Sequence, residues 1–347
     1  MKKKLIIAIG IVGALMVAAA LVLSAIWWID NRRAGFESDF EIYVYPDTTP
    51  EQVLEELCGE ERALSRRSLI RCFRRIGTFE GIKPGYYPVK KDYAPVYVAR
   101  MLCFGWQEPC RLTLSGTLRT KEKLAKVISA QMMVDSLSVA AALNDEVFLA
   151  GYGFTPENVF AMILPDTYQM YWTAGIKEIF DRFKKEYDRF WTPERVKLAQ
   201  AQGLTKMEVS VMASIVAGET LQPDEFPIIA GVYLNRLHKG IKLQADPTIC
   251  FCFGYSLSRV LKRHLNVDSP YNTYKYAGLP PAPINVPSKA CLEAVLSPAR
   301  HNYLFFCASP EFNGRHLFAA TYSEHLVNAR AFQRALDKRM AEKNPEF

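Results

Sequence analysis

Apolar residues run unbroken by charge from Leu5 to Trp28, a stretch of 24 positions, and nothing later in the chain approaches that length. A helix needs about 20 apolar residues to cross a bilayer core, so the run predicts a transmembrane helix. The apolar part of a cleaved signal is shorter, about 7–15 residues, and ends in small residues. Here the run ends in Trp27 and Trp28, which suit a membrane interface. Lys2, Lys3 and Lys4 precede it; Asp30, Arg32 and Arg33 follow. The positive-inside rule then puts the N-terminus in the cytoplasm and the remainder outside. Later apolar runs, such as Ile249 to Gly254 and Tyr303 to Ala308, are only strand-sized.

Beyond the span the pattern changes every few residues. Phe40 to Tyr45 alternates like a strand. Thr49-Pro50-Glu51-Gln52 reads as a capped helix start, with Pro50 in the first turn and Gln52 completing a capping box. Ser65 to Ile76 reads as a helix, Gly81 to Tyr87 as a turn leading into a strand, and Thr113 to Gly116 followed by Thr120 to Met132 as strand then helix. Residues 135–200 look largely helical, interrupted at Leu164 to Tyr168. Ile176, Ile179, Phe180, Phe183, Tyr187 and Phe190 recur at helical spacing inside Thr173 to Trp191. Thr192-Pro193-Glu194 restarts a helix; Met207 to Val216 and Pro227 to His238 predict two more. About fifty turn-rich residues follow, then a hairpin (Tyr303 to Cys307, Leu317 to Ala319) and a capping box, Thr321 to Glu324, launching a last helix to about Lys343. The predicted class is α+β: anchor over 1–33, small α/β modules over 34–134, a helical linker region over 135–204 and a mixed α/β domain over 205–347.

Composition supports folded units. Of 347 residues, 50% are hydrophobic and 12% aromatic, which excludes a disordered chain. The formal charge is +7, but the three lysines before the span account for three of it. The remainder is too weak to argue for nucleic acid, and no lysine/arginine tract extends beyond short pairs such as Arg66–Arg67 and Arg74–Arg75. Eight cysteines permit disulfides outside the membrane, Cys103 with Cys110 being the closest local pair able to form one; the preferred reading is that most are small buried apolar residues. Cys250-Phe-Cys252 lacks zinc-ligand spacing, so neither metal nor cofactor is expected.

Serine-nucleophile elbows, Ser-x-x-Lys, His-Glu-x-x-His and phosphate loops are missing from the sequence. Carboxylate chemistry remains. Glu219 lies seven, four and three residues after Met212, Ile215 and Val216, so it extends their apolar helical face. Partial desolvation there raises a carboxyl pKa, as a general acid requires. A plain helix-end role beside Gly218 and Thr220 is the alternative. Leu243 to Thr248, Ser269 to Tyr274 and Ala277 to Ile284 form long proline-stiffened segments whose Tyr and Asn content suits a hydroxyl-rich ligand; Asp246 and Asn272 are equally common turn formers.

Ala213 to Thr220, Tyr233-Leu-Asn-Arg236, Leu243-Gln-Ala-Asp-Pro-Thr248, Tyr271-Asn-Thr-Tyr274, Gly278-Leu-Pro-Pro281 and Tyr303-Leu-Phe-Phe306 occur in an order that resembles the endolytic murein transglycosylases, single-pass membrane proteins once grouped as aminodeoxychorismate-lyase-like. Leu164 to Tyr168 looks like the family's linker element, and 39–120 is similar in layout to its LysM-like modules. Many relatives carry a Glu where this chain has Ala217, which leaves Glu219 the single acid of the motif. The resemblance implies cleavage of the MurNAc–GlcNAc β-1,4 bond in nascent peptidoglycan, with Glu219 as acid and then base toward the substrate's C6 hydroxyl, forming a 1,6-anhydro end. It implies that Gln244, Asp246, Asn272 and Tyr274 line the sugar groove. Partners would be glycan strands and the bacterial cytoplasmic membrane, with peptidoglycan synthases or division proteins as further candidates, and no nucleic acid. Three rivals stand beside it: a non-catalytic peptidoglycan-binding scaffold, a pyridoxal-phosphate lyase as the older label suggests, and a muramidase-type hydrolase.

Overall fold

The computed structural model describes residues 2–76 and 81–343. Its first element is α1 (Lys2–Asn31), long and apolar enough to cross a membrane. Then come β1 (Phe40–Val44), α2 (Pro50–Cys58), α3 (Arg66–Ile76), β2 (Gly85–Val89), α4 (Pro95–Phe104), β3 (Pro109–Thr113), α5 (Lys121–Ser129), α6 (Ser136–Ala142), α7 (Glu146–Ala150) and β4 (Thr167–Tyr171). The rest is α8 (Ile176–Phe190), α9 (Pro193–Ala201), α10 (Lys206–Glu219), α11 (Phe226–His238), α12 (Asp246–Cys252), α13 (Lys289–Leu296), β5 (Phe305–Ala308), β6 (His316–Ala319) and α14 (Tyr322–Lys343). Mixed helix and sheet is thus the class, and among the described residues the strands form two-stranded pairs, β1–β2, β3–β4 and β5–β6.

The chain divides into two compact units. The first holds residues up to Leu112 together with Gln131–Met133 and Gln169–Ala174. There β1 and β2 pair antiparallel, Phe40 opposite Val89 and Val44 opposite Gly85. The inward positions, Ile42, Val44, Tyr87 and Val89, meet Leu54, Leu57, Leu69, Phe73 and Leu102 in one core. The capping box at Thr49 and Gln52 is formed. α4 was not among the sequence expectations. Its Val-Tyr-Val segment favours strand locally, but Pro95 opens a first turn, Gly105 closes it at φ +70°, and Val98, Ala99 and Leu102 bury against the core.

The second unit holds the remainder. Here α10 is central: Val209 to Val216 are all buried, including Ser210 and Ser214, whose hydroxyls donate to the carbonyls of Lys206 and Val211, and the helix packs against α9, α11, α12 and α13. Thr205 and Glu208 form its capping box, and Thr321 with Glu324 that of α14. The hairpin is present as β5 and β6, Phe305 opposite Ala319.

Two expectations need correction. The strand assigned to 113–116 lies earlier, at β3, because Gly116 at φ +72° turns the chain. Residues 135–200 are largely helical, as expected, in α6, α7, α8 and α9, and the interruption at Leu164 to Tyr168 leads into β4. The turn-rich reading of 243–248 gives way to α12, where Pro247 sits in the first turn, the one helical place where its missing N–H costs nothing. All eight cysteines are free thiols; Cys72, Cys103 and Cys291 are buried and the others half-buried.

Candidate active site

Glu219 is the last residue of α10, and the chain leaves it extended at Thr220 (φ −142°). Met212, Ile215 and Val216 on the same face are fully buried, so the carboxyl emerges from an apolar surface. Burial pushes the Glu219 carboxyl up to about 7; the charge of Asp246 adds to this, while Tyr233 and Arg236 pull the other way. The negative end of the helix dipole also disfavours an ionised carboxylate there.

Two positions on α11, three residues apart and therefore on one face, complete the setting. The Tyr233 hydroxyl donates to Glu219 Oε1, and its buried ring meets Phe306 edge-on with centroids 5.9 Å apart. Burial and the neighbouring Glu219 push the Tyr233 hydroxyl well above its usual range, so it stays a donor. Arg236 is buried, with its Nε and Nη1 engaged. It donates to the carbonyls of Lys242 (3.0 Å), Leu243 (2.9 Å) and Leu304 (2.6 Å) and to Gln244 Oε1 (3.2 Å), and lies over the Phe305 ring at 5.2 Å. A buried cation is tolerable only with such partners, and they fix the 242–244 segment against the start of β5.

Asp246 opens α12, close to Glu219 because residue 218 is glycine. A Cβ at Gly218 would lie 2.6 Å from Pro247 Cβ, so no larger residue lets the two helices meet this closely. Tyr274 donates its hydroxyl to Asp246 Oδ1 at 2.6 Å. The segment carrying it is tied to the foot of α12 by Thr273, which accepts from Ala245 N (3.0 Å) and bonds Thr248 Oγ1 (2.9 Å). Gln244 N donates to Thr273 O at 3.1 Å, which holds Gln244 in the left-handed region at φ +53°.

Glu219, Tyr233, Arg236, Gln244, Asp246 and Tyr274 thus line one cleft of about 370 Å³. Glu219 and Asp246 also line a smaller cavity of about 160 Å³, walled by Arg119, Tyr255 and Asn285. Four of the five expected residues come together this way. Asn272 does not. It is wholly buried, its Nδ2 donates to Leu265 O and Val267 O, and its Oδ1 accepts from the amides of Tyr274 and Lys275. With its polar atoms so occupied it shapes the loop that presents Tyr274, and the expectation that it faces the groove is corrected.

The expectations missed Tyr233 and Arg236 as site residues, although their segment had been singled out. An Arg inside the apolar run of α11 was the available signal, since such a charge must find partners. They also missed Glu225. It is buried, and burial alone would raise it, but donors from His316 (amide 2.8 Å, Nδ1 2.9 Å) and Thr220 (2.9 Å) outweigh this and hold it below the usual carboxylate range. Two neighbouring glutamates are therefore driven apart: Glu225 is committed as an acceptor, Glu219 remains able to hold a proton near neutrality.

Residues 42–331 match the YceG-like family. The endolytic murein transglycosylase of Bacillus subtilis (strain 168) is 41% identical over 127 residues, 35% of this chain and 35% of that protein. That of Streptococcus pneumoniae (strain D39) is 26% identical over 298 residues, 77% of this chain and 54% of that protein. The matches thus span about half or less of those proteins' length. A crystal structure of a YceG-like protein from Listeria monocytogenes shares the fold, with TM-score 0.57 and 24% identity over 83% of this chain and 98% of that one.

Proposed function

Since the chain belongs to the YceG-like family, we propose that it is a membrane-anchored endolytic transglycosylase that cuts the MurNAc–GlcNAc β-1,4 bond within nascent peptidoglycan. One observation carries this reading: the Glu219 carboxyl lies in an open cleft with its pKa pushed up to about 7. Tyr233 occupies Oε1, which leaves Oε2 to carry the proton. Glu219 gives that proton to the glycosidic oxygen as the bond to the MurNAc C1 breaks. The anionic Asp246, held by Tyr274, offsets positive charge on the oxocarbenium-like ring. The substrate's C6 hydroxyl then attacks C1 and returns its proton to Glu219, so the ring closes to a 1,6-anhydro end without consuming water. Gln244 and Tyr274 line the groove for the sugar.

The parts of the chain take these roles: 1–33 anchors it, 34–134 binds glycan as a LysM-like module, 135–204 connects, and 205–347 cuts. The strand–helix–helix–strand run from β1 to β2, closed by antiparallel pairing, supports the module reading. With α1 spanning once and its lysines inside, the globular parts work outside the cytoplasmic membrane, near the synthases or division proteins that make the strand. Neither cofactor nor metal takes part.

A second carboxylate in the cleft, Asp246, favours one competing reading, a muramidase-type hydrolase. Digestion of uncrosslinked glycan strands with mass analysis of the products separates them. Anhydro ends that vanish in Glu219→Gln support the proposal; reducing ends identify a hydrolase; intact strands with the native protein refute both.

A further inference from the structure

At the exit of α1 the helix carries a buried carboxylate, Asp30, only 2% exposed. Ser68 and Arg71 of α3 both bond it, Arg71 through Nη2 at 2.7 Å and Nε at 3.2 Å, and Arg75 donates to Asn31 Oδ1 at 3.1 Å. These contacts clamp α3 onto the last turn of α1, within three residues of Trp28. At 1.5 Å per residue that is about 3–5 Å along the axis, whereas the headgroup layer beyond the hydrocarbon is roughly 5–8 Å deep. Once α1 spans a bilayer, α3 therefore lies at headgroup level.

The sequence of α3, Arg-Arg-Ser-Leu-Ile-Arg-Cys-Phe-Arg-Arg-Ile, has five arginines and no acid. Leu69, Cys72 and Phe73 bury in the core, while Arg66, Arg67, Arg74 and Arg75 are exposed. Arg32 and Arg33 follow α1 directly and are exposed as well. Among the described residues only Arg71 of these seven has a carboxylate partner. Six unneutralised guanidinium groups thus gather where lipid phosphates sit, and a planar guanidinium binds phosphate with two hydrogen bonds. We propose that α3, held down by the Asp30–Arg71 clamp, is a binding surface for anionic phospholipid headgroups on the leaflet from which α1 emerges. The inference rests on α1 being a membrane anchor and is independent of the glycan chemistry.

The test uses the full chain reconstituted into phosphatidylcholine vesicles that contain phosphatidylglycerol. Acyl chains of one lipid or the other carry bromine, which quenches Trp27 and Trp28. The native protein should be quenched severalfold more by brominated phosphatidylglycerol than its share of the lipid predicts, and salt should erode this preference. Arg67→Gln, Arg74→Gln and Arg75→Gln together should abolish it, while the three lysine replacements should retain it because the charge remains. Quenching by each lipid in proportion to its share, an unchanged preference in the glutamine variant, or its loss in the lysine variant would each overturn the proposal. Failure of the native chain to float with vesicles would overturn the anchor reading and the proposal together.

Discussion

The Tyr233 hydroxyl donates to Oε1 of Glu219, so a residue in the middle of α11 sets the protonation of one at the end of α10. That bond favours the ionised carboxylate, whereas burial and Asp246 favour the neutral one, and the balance falls at about 7. The expected pH behaviour follows from these opposing effects.

In the proposed mechanism the acid form of Glu219 starts the reaction, so cleavage should fall as pH rises through about 7. Glu219→Gln should lower the rate by roughly 10²–10⁴-fold or more, the usual worth of a general acid. Product mass spectra taken from about two pH units below to about two units above that midpoint check both. A rate that is flat across that range would refute the assignment.

Folding stability should show the same group with a defined sign. The folded-state pKa lies above the ordinary value of 4.5, so Glu219 favours folding when protonated and loses this contribution as pH rises from 4.5 to about 7. Glu219→Gln should therefore gain on the native protein above pH 7 by about 1–3 kcal/mol relative to its difference at pH 4. Urea unfolding at the two pH values measures it.

Tyr233→Phe and Asp246→Asn should move the activity profile in opposite directions. Losing the Tyr233 donor raises Glu219 further, so the alkaline limb shifts up; losing the Asp246 charge lowers Glu219, so the limb shifts down. Shifts in the same direction would contradict the electrostatics described.

Gly218→Ala adds a methyl 2.6 Å from Pro247 Cβ, which forces α10 and the foot of α12 apart. The expected stability loss is about 1–3 kcal/mol, as for other overpacked sites. Because Glu219 and Asp246 flank this contact, kcat should drop more than that loss of folded protein explains. Calorimetry with single-turnover kinetics separates the two effects.

Arg236→Leu leaves four acceptors without their donor, and Arg236→Lys cannot reproduce the planar fork. The Leu variant should destabilise the fold by about 1–3 kcal/mol or more, the usual cost of leaving buried acceptors unsatisfied, and the Lys variant by less. Chemical denaturation tests this; a nearly neutral Leu variant would show that the network is not structural.

The sequence determined what depends on near neighbours. The unbroken apolar run set α1, the boxes at Thr49 and Thr321 set helix starts, and the spacing of Met212, Ile215, Val216 and Glu219 put the acid on an apolar face. Each is a pattern within one or two turns, which local hydrogen bonds and burial can enforce without distant partners. Tertiary structure decided the rest. Asp246-Pro247 begins a helix because Thr273, 25 residues or more away along the chain, holds Ala245 and Thr248. Asn272 turns inward because Leu265, Val267, Tyr274 and Lys275 need its amide. Tyr233 reaches Glu219 only because α11 packs on α10. A side chain's neighbours across the fold set its pKa and its polar partners, and no local periodicity encodes which neighbours those are.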